Sequence, residues 1–288
     1  MNGPLLSKEP GSLRLGHAAA SQLRWVLADV HPLIETIRVG RDLSPLAAIG
    51  LGQMLAAAAM LTRLTAKRPL RMLLEASGTG PLGRVRAEAD TLGHLRGMVE
   101  QRLASEGSTN KGIPQLGTGI LRVVRQSDKQ SYESKVELVG GGVARNVANF
   151  LDTSEQIRSA VLLGVQARRR GIVAGGGLIV QALPDADPTI LATLEAKLDE
   201  LPGASQLLEE GGPQGLLEAA LGELEPEELH VAPLILSCDC DRERFGSHIR
   251  SLAETEPDLV ADKETHVQCS FCGAEYAFAA TELTATVN

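Results

Sequence analysis

Apolar and polar residues in the first two thirds of the chain follow the spacings of both helices and strands. Ser44 and Pro45 form a favourable N-cap and first-turn pair, and residues 46–64 after them predict a long, largely buried helix. A second helical spacing lies at 143–151. Alternation and β-branched residues predict strands at 84–89, 120–125 and 132–138, and two further apolar segments lie at 160–165 and 171–183.

These elements predict the organisation of the N-terminal part of the chain. We assign residues 21–183 to one α+β domain with an antiparallel sheet and packed helices. We expect residues 1–20 to form a loose polar lead before this domain. The run Gly78–Gly83 matches G-x-G-x-x-G, but Pro81 and the alternating strand after it exclude the helix that a dinucleotide-binding turn requires. A hairpin turn is therefore predicted there.

Residues 184–230 differ sharply in composition from the domain before them. From Asp185 to His230 the chain carries twelve acidic residues and one basic residue, Lys197, which gives a net charge of −11. Pro and Gly residues cut the segment into helices so short that they need a packing partner to stay formed. We predict an acidic helical linker with a stripe of leucines at helical spacing: Leu191, Leu194, Leu198, Leu201, Leu216, Leu217 and Leu221.

The three arginines Arg168–Arg170 have two interpretations. Arginine is usually solvated, so an exposed turn is the simpler one. Their positive charge also suits them as a docking site for the acidic linker.

Net charge and targeting signals limit the classes of partner. The formal net charge of −8 does not favour a nucleic-acid partner. Residues 1–20 lack the continuous apolar region of a secretory signal, and the apolar stretch 45–61 is interrupted by Gly50, Gly52 and Gln53. We therefore expect a cytoplasmic protein without a membrane partner. None of the six histidines lies in a hydrolytic motif, so we expect no enzymatic activity.

The only four cysteines of the chain lie in its last fifth, at Cys238, Cys240, Cys269 and Cys272. Each pair supplies one edge of a tetrahedron, so four thiolates fill the coordination of one Zn²⁺ and leave no position for a substrate water. Residues 231–288 are therefore predicted to form a small zinc-binding domain. Four of the seven aromatic residues lie near the cysteines and predict a mini-core around the metal: Phe245, Phe271, Tyr276 and Phe278.

Two other interpretations of the cysteines stay open. His266 lies three residues before Cys269 and is a rival ligand for a Cys₃His site. A thioredoxin-like role for Cys269 and Cys272 is less favoured, because the C-x-C pair would then have no purpose and no βαβ unit follows.

The order of these features resembles the redox-regulated heat-shock protein 33 family. The cysteine pairs match the zinc motif of that family. Three further stretches match it in order over roughly residues 21–280: Gly78-Thr-Gly-Pro-Leu82, Phe150-Leu-Asp-Thr-Ser-Glu-Gln156 and Ala174-Gly-Gly-Gly-Leu-Ile-Val-Gln-Ala-Leu-Pro184.

The resemblance implies a chaperone that is switched by oxidation and binds unfolded or misfolding client proteins without ATP. It implies that the reduced form is an inactive monomer with one Zn²⁺ on the four cysteines. Oxidation would then join Cys238 to Cys240 and Cys269 to Cys272, release zinc, unfold the C-terminal domain and linker, and give an active form that is commonly a homodimer.

The physical chemistry of these residues is compatible with such a switch. A bound zinc contributes on the order of 10–16 kcal/mol to the folding of a small module. Zinc-bound sulfur keeps the thiolate character that oxidants attack. Two rival functions remain. One is a constitutive zinc-stabilised module that binds protein or nucleic acid, and the other is a thiol oxidoreductase.

Overall fold

The computed structural model describes residues 7, 9–65, 70–105, 109–110, 113–114, 116–184, 186–256 and 264–284. The chain folds into two compact units, Ser7–Leu236 and a smaller one that begins at Ser237 in the C-terminal part.

A ten-stranded sheet is the frame of the larger unit. The strands of this unit are β1 Gly11–Ala18, β2 Leu23–Asp29, β3 Arg71–Gly78, β4 Arg84–Asp90, β5 His94–Val99, β6 Thr109–Asn110, β7 Ile113–Pro114, β8 Gly119–Gln126, β9 Ser131–Glu137, β10 Ser159–Arg168, β11 Gly171–Ala182 and β12 Glu227–Leu236. The spatial order of the sheet is β10-β11-β2-β1-β12-β5-β4-β3-β8-β9, and every neighbouring pair is antiparallel except β12 with β5. Two very short strands, β6 and β7, pair separately.

Three helices cover one face of this sheet. They are α1 His31–Arg41, α2 Pro45–Thr65 and α3 Val143–Thr153. Helix α2 is buried almost throughout, and the Ser44 hydroxyl accepts a hydrogen bond from Ala47 N at 3.2 Å, which confirms the predicted cap. By length and composition α2 could cross a membrane, but 89% of its most apolar window is buried in this fold. It is the central core helix that its sequence predicts.

The opposite face of β2 and β11 carries the linker helices, α4 Pro188–Glu200 and α5 Ala204–Leu221. Alternate residues of β2 divide between the two faces, because Val26 joins the core under α2 whereas Trp25 and Leu27 join the core under α5. The acidic segment therefore forms short amphipathic helices, as predicted. Those leucines of the predicted stripe whose side chains the structure describes are packed on the sheet: Leu194, Leu198, Leu201, Leu216, Leu217 and Leu221. The Leu191 side chain lies outside the described residues.

The structure differs from the predicted boundaries at both ends of the larger unit. Residues 11–18, expected in a loose lead, form β1 between β2 and β12. Residues 231–236, assigned by sequence to the C-terminal domain, complete β12 in the large sheet. These two strands pair with each other across more than two hundred residues, so neither shows its partner in the local sequence. The Gly78–Gly83 run is the turn between β3 and β4, as predicted.

The C-terminal unit consists of a hairpin and two helices. Its elements are α6 Arg242–Thr255, β13 Glu264–Gln268, β14 Glu275–Ala279 and α7 Ala280–Thr284. Strands β13 and β14 pair antiparallel, with Gln268 opposite Glu275 at the end of the hairpin. Phe278 and Leu283 are its fully buried large apolar side chains among the described residues, so its own hydrophobic core is small.

Candidate metal centre

The tip of the β13–β14 hairpin holds the C-x-x-C pair. The Gly273 amide donates to Cys269 O at 2.9 Å, and the Cys269 amide donates to Ala274 O at 2.9 Å. Gly273 has φ +78°, a left-handed conformation that side chains rarely adopt, and this closes the turn. The turn directs Cys269 and Cys272, which are buried, to one side of the hairpin.

The C-x-C pair lies immediately before α6. Asp241 caps this helix, with its Oδ1 accepting a hydrogen bond from Arg244 N at 2.7 Å. The Arg244 guanidinium reaches back to Asp239 Oδ2 at 3.2 Å. These contacts fix the extended segment that carries Cys238 and Cys240, both half-buried.

The four sulfurs form one cluster. All four Sγ atoms lie within 4.8 Å of one another. Cys238 and Cys269 are 3.7 Å apart, and Cys240 and Cys272 are 3.2 Å apart. Tetrahedral zinc with Zn–S bonds of about 2.3 Å places its sulfurs about 3.8 Å apart. The donor set and the spacing therefore fit a Cys₄ metal centre.

The protons of the cluster are unevenly shared. A hydrogen bond from the Cys238 thiol lowers the pKa of Cys269, and the backbone amides of Phe271 and Cys272 act in the same direction. The same hydrogen bond raises the pKa of Cys238, and burial raises the pKa of Cys272 to about 11. A divalent cation favours thiolate at every sulfur, because thiolate is the form that binds metal.

Tyr276 is a neighbour of the cluster whose role the sequence analysis did not identify. Its hydroxyl lies 3.1 Å from Cys240 O and 3.3 Å from Cys240 Sγ, and it donates to these atoms. The contact with Cys240 is the largest of the causes that raise the pKa of Tyr276. In the sequence, the position of Tyr276 four residues after Cys272 is the signal that could have indicated this contact.

Three of the four aromatic residues of the predicted mini-core, Phe245, Phe271 and Tyr276, pack around the sulfurs, whereas Phe278 lies in the apolar cluster with Leu283. The rings of Phe245 and Tyr276 lie 5.2 Å apart, and Phe271 packs against the cysteine cluster. The Arg242 guanidinium lies 4.6 Å from the centre of the Phe278 ring and donates to Ala277 O at 2.7 Å. These contacts join α6 to the hairpin.

His266 does not take part in the cluster. It lies on β13 with 73% of its side chain exposed, and its Nε2 is 3.4 Å from Glu264 Oε2. The structure therefore places four cysteines, and not the histidine, in a common ligand position.

One arginine of the 168–170 run contacts the linker. The Arg168 guanidinium donates two hydrogen bonds to the Glu209 carboxylate on α5, at 2.9 and 2.6 Å. The docking interpretation therefore holds for Arg168, whereas Arg169 and Arg170 are exposed in the turn after β10.

The family model for the Hsp33 protein matches residues 12–279. The chain belongs to the Hsp33 family. This Hsp33 chain is 38% identical to a 33 kDa chaperonin of Thermus thermophilus over 296 aligned residues, which cover 96% of the chain and 86% of that protein. It is 34% identical to the 33 kDa chaperonin of Syntrophotalea carbinolica, with 92% and 95% of the two chains covered.

A solved relative shares the fold. The crystal structure of the 33 kDa chaperonin from Thermotoga maritima superimposes with a TM-score of 0.85 at 29% identity, and covers 94% of this chain and 96% of its own. The family match confirms the resemblance found in the motifs and makes this Hsp33 chain a chaperone-family protein.

Proposed function

We propose that this chain is a redox-switched, ATP-independent chaperone that is inactive when reduced and zinc-bound. The observation that carries the proposal is the clustering of all four cysteines within 4.8 Å, in a unit with a small hydrophobic core of its own. Its proposed clients are unfolding or oxidatively damaged proteins; membership of a chaperone family supports the binding of unfolded proteins. None of its glycine triplets is followed by the Gly-Lys-Ser/Thr of a phosphate loop, which accords with independence from ATP.

The reduced state depends on the four sulfurs. Zinc, when bound, joins the C-x-C and C-x-x-C pairs through tetrahedral thiolate coordination. The apolar core of the unit from Ser237 on is small, because Phe278 and Leu283 are its buried large apolar side chains among the described residues. Loss of the four-sulfur arrangement should therefore unfold the hairpin and α6.

Oxidation replaces the metal bonds by sulfur–sulfur bonds. Each disulfide removes two electrons from two sulfurs, and hydrogen peroxide accepts them with two protons to give two molecules of water. We propose the pairs Cys238–Cys240 and Cys269–Cys272. Residues two or three positions apart stay close when the unit unfolds, so their loop closure is favoured over pairing across some thirty residues.

The folded arrangement also brings cysteines of different pairs together, with Cys240 and Cys272 Sγ at 3.2 Å. Peptide mapping of the peroxide-treated protein decides between the two patterns. Links from Cys238 to Cys240 and from Cys269 to Cys272 support the proposal. A Cys240–Cys272 link would show that oxidation occurs without unfolding, and would overturn the proposed pairing.

The acidic linker connects oxidation to client binding. Its described leucines are packed on the sheet while the cysteines are free, so unfolding would present apolar side chains to a client. Its net charge of −11 would keep the opened segment in solution. We further propose a cytoplasmic location, and a homodimer as the oxidised form.

Light scattering of a heat-denaturing client tests the switch. Peroxide-treated protein should suppress aggregation, and reduced zinc-loaded protein should not. A chromogenic chelator should report release of one zinc per chain during activation. Equal protection by both forms, with zinc retained, would instead support a constitutive zinc-stabilised binding module.

A further inference from the structure

Helix α5 is divided by a break at Gly212. This residue has φ +62° and ψ −162°, a conformation that glycine adopts readily and other residues do not. Pro213 follows, and because proline has no amide hydrogen it cannot donate to Glu209 O in the preceding turn. Helical cooperativity is therefore interrupted between the two halves of α5.

The part after the break, residues 213–236, is firmly attached to the sheet. It contributes four buried residues of α5 to the core against β2 and β11: Leu216, Leu217, Ala220 and Leu221. The Ala19 amide donates to Leu224 O at 2.7 Å, and Arg14 pairs with Glu228 and donates to Gln214 Oε1 at 3.0 Å. The segment then continues as β12 within the sheet.

The part before the break, residues 188–211, has fewer attachments. Leu194 of α4 and Leu208 of α5 are its fully buried leucines among the described side chains. Each of its ion pairs has at least one exposed partner: Arg158 with Glu195 at 3.5 Å, Arg168 with Glu209, and Lys197 with Glu223 at 3.4 Å, which is the one that crosses the break. Exposed ion pairs are weak and are screened by salt.

Two residues of β10 hold the first turns of α5. A Cβ at Gly164 would lie 2.3 Å from Ser205 N and 2.6 Å from Ala204 C, so the absence of a side chain lets the backbone of α5 approach the strand directly. Four residues further along β10, Arg168 forms its two hydrogen bonds with Glu209. Gly164 and Arg168 thus form a docking site for the first half of α5.

We propose that Gly212 divides the linker into a releasable part, residues 188–211, and an anchored part, residues 213–236, and that Gly164 and Arg168 hold the releasable part closed. The releasable part opens first, and exposes Leu208 and the β10 surface beneath it while the anchored part remains on the sheet. The biological meaning of this division rests on the proposed redox function, but the experiment that tests the division does not.

Hydrogen exchange by mass spectrometry on the full-length, reduced, zinc-loaded protein tests the proposal. Peptides within 204–211 and 214–221 are followed separately. Gly164→Ala should speed exchange in 204–211 by about tenfold or more, and Arg168→Glu by about threefold to tenfold, with 214–221 changed by less than about twofold. The double variant Arg168→Glu/Glu209→Arg should restore protection, because it inverts the pair.

Arg169→Glu is the matched control, since it makes the same change of charge in the adjacent exposed turn and should leave both peptides unchanged. Equal loss of protection in the two peptides would show that the linker opens as one unit, and would overturn the division at Gly212. Unchanged exchange in both Gly164→Ala and Arg168→Glu would overturn the docking site. Neither measurement uses peroxide or a client, so failure of the proposed function would be seen separately in the scattering assay.

Discussion

The hydroxyl of Tyr276 lies 3.3 Å from the sulfur of Cys240 and 3.1 Å from the backbone oxygen of the same residue. The same ring packs against Phe245 at the start of α6. One side chain thus orients a cysteine of the candidate metal centre and links the two elements that flank the cysteine pairs. Groups that hydrogen-bond to a metal ligand raise the affinity for the metal, although they do not contact the metal themselves.

Tyr276→Phe should therefore weaken zinc binding by about tenfold while keeping the aromatic packing. The cause is loss of the hydrogen bond to Cys240, because the ring itself is unchanged. Competition with a chromogenic chelator measures the affinity. Tyr132→Phe is the matched control, since the Tyr132 hydroxyl on β9 bonds Gln130 Oε1 at 2.7 Å. Equal zinc affinity in wild type and Tyr276→Phe would contradict the positioning role.

Cys269→Ser should abolish stoichiometric zinc binding and make the unit from Ser237 on sensitive to protease. Three thiolates leave the tetrahedral site incomplete, and the small core around Phe278 does not compensate. Zinc content by elemental analysis and limited proteolysis provide the readouts. Residues 7–236 should remain resistant because they fold as a separate unit.

His266→Ala is the counterpart of that substitution. It should retain one zinc per chain, because His266 is exposed and lies outside the sulfur cluster. Loss of zinc in this variant would revive the Cys₃His alternative. The sequence favoured the four cysteines on ligand spacing and left His266, three residues before Cys269, as a rival ligand.

The parts of the fold that the sequence predicted are those specified locally. Helix α2 follows from the Ser44 cap and a continuous apolar run, and the break in α5 follows from Gly212 and Pro213. The clustering of the four cysteines was predicted from their arrangement in two close pairs, C-x-C and C-x-x-C. In the two helices and within each cysteine pair, the signal lies within a few residues of the feature.

Strands β1 and β12 could not be predicted in this way. Leu13 and Leu15 form too short an alternating pattern to specify a strand, and β12 begins with Glu227 and Glu228 at the end of an acidic segment. What makes them strands is their mutual pairing, with Leu13 opposite Ala232. Pairing between the first and last strands of a domain is not encoded in the local sequence of either strand.

Leu216→Ala should destabilise the larger unit by about 2–5 kcal/mol, because it opens a cavity between α5 and the sheet. Leu216 is fully buried in the same cluster as Trp25, the only tryptophan of the chain. Urea unfolding followed by Trp25 fluorescence measures the loss. Leu229→Ala on β12 is the control, since Leu229 is 56% exposed and its truncation should change stability by less than about 0.5 kcal/mol. Similar effects of both substitutions would show that α5 is not packed as described.

Gly16→Ala should destabilise the protein by about 1–3 kcal/mol, although it is the smallest change available in a segment that looks unstructured by sequence. A Cβ at Gly16 would lie 1.8 Å from Glu227 O and 2.5 Å from Cζ2 of Trp25, so either the β1–β12 pairing or the indole must move. The indole cannot move easily, because its Nε1 donates to His17 O at 3.0 Å and the ring is fully buried.

Gly222→Ala is the matched control, since Gly222 has a right-handed helical conformation and no atom within 4 Å of the new Cβ. It should be neutral or stabilising by a few tenths of a kcal/mol to about 1 kcal/mol. Denaturant unfolding of both variants separates the two outcomes, and a Gly16→Ala protein as stable as Gly222→Ala would show that residues 11–18 are the loose lead that the sequence suggests.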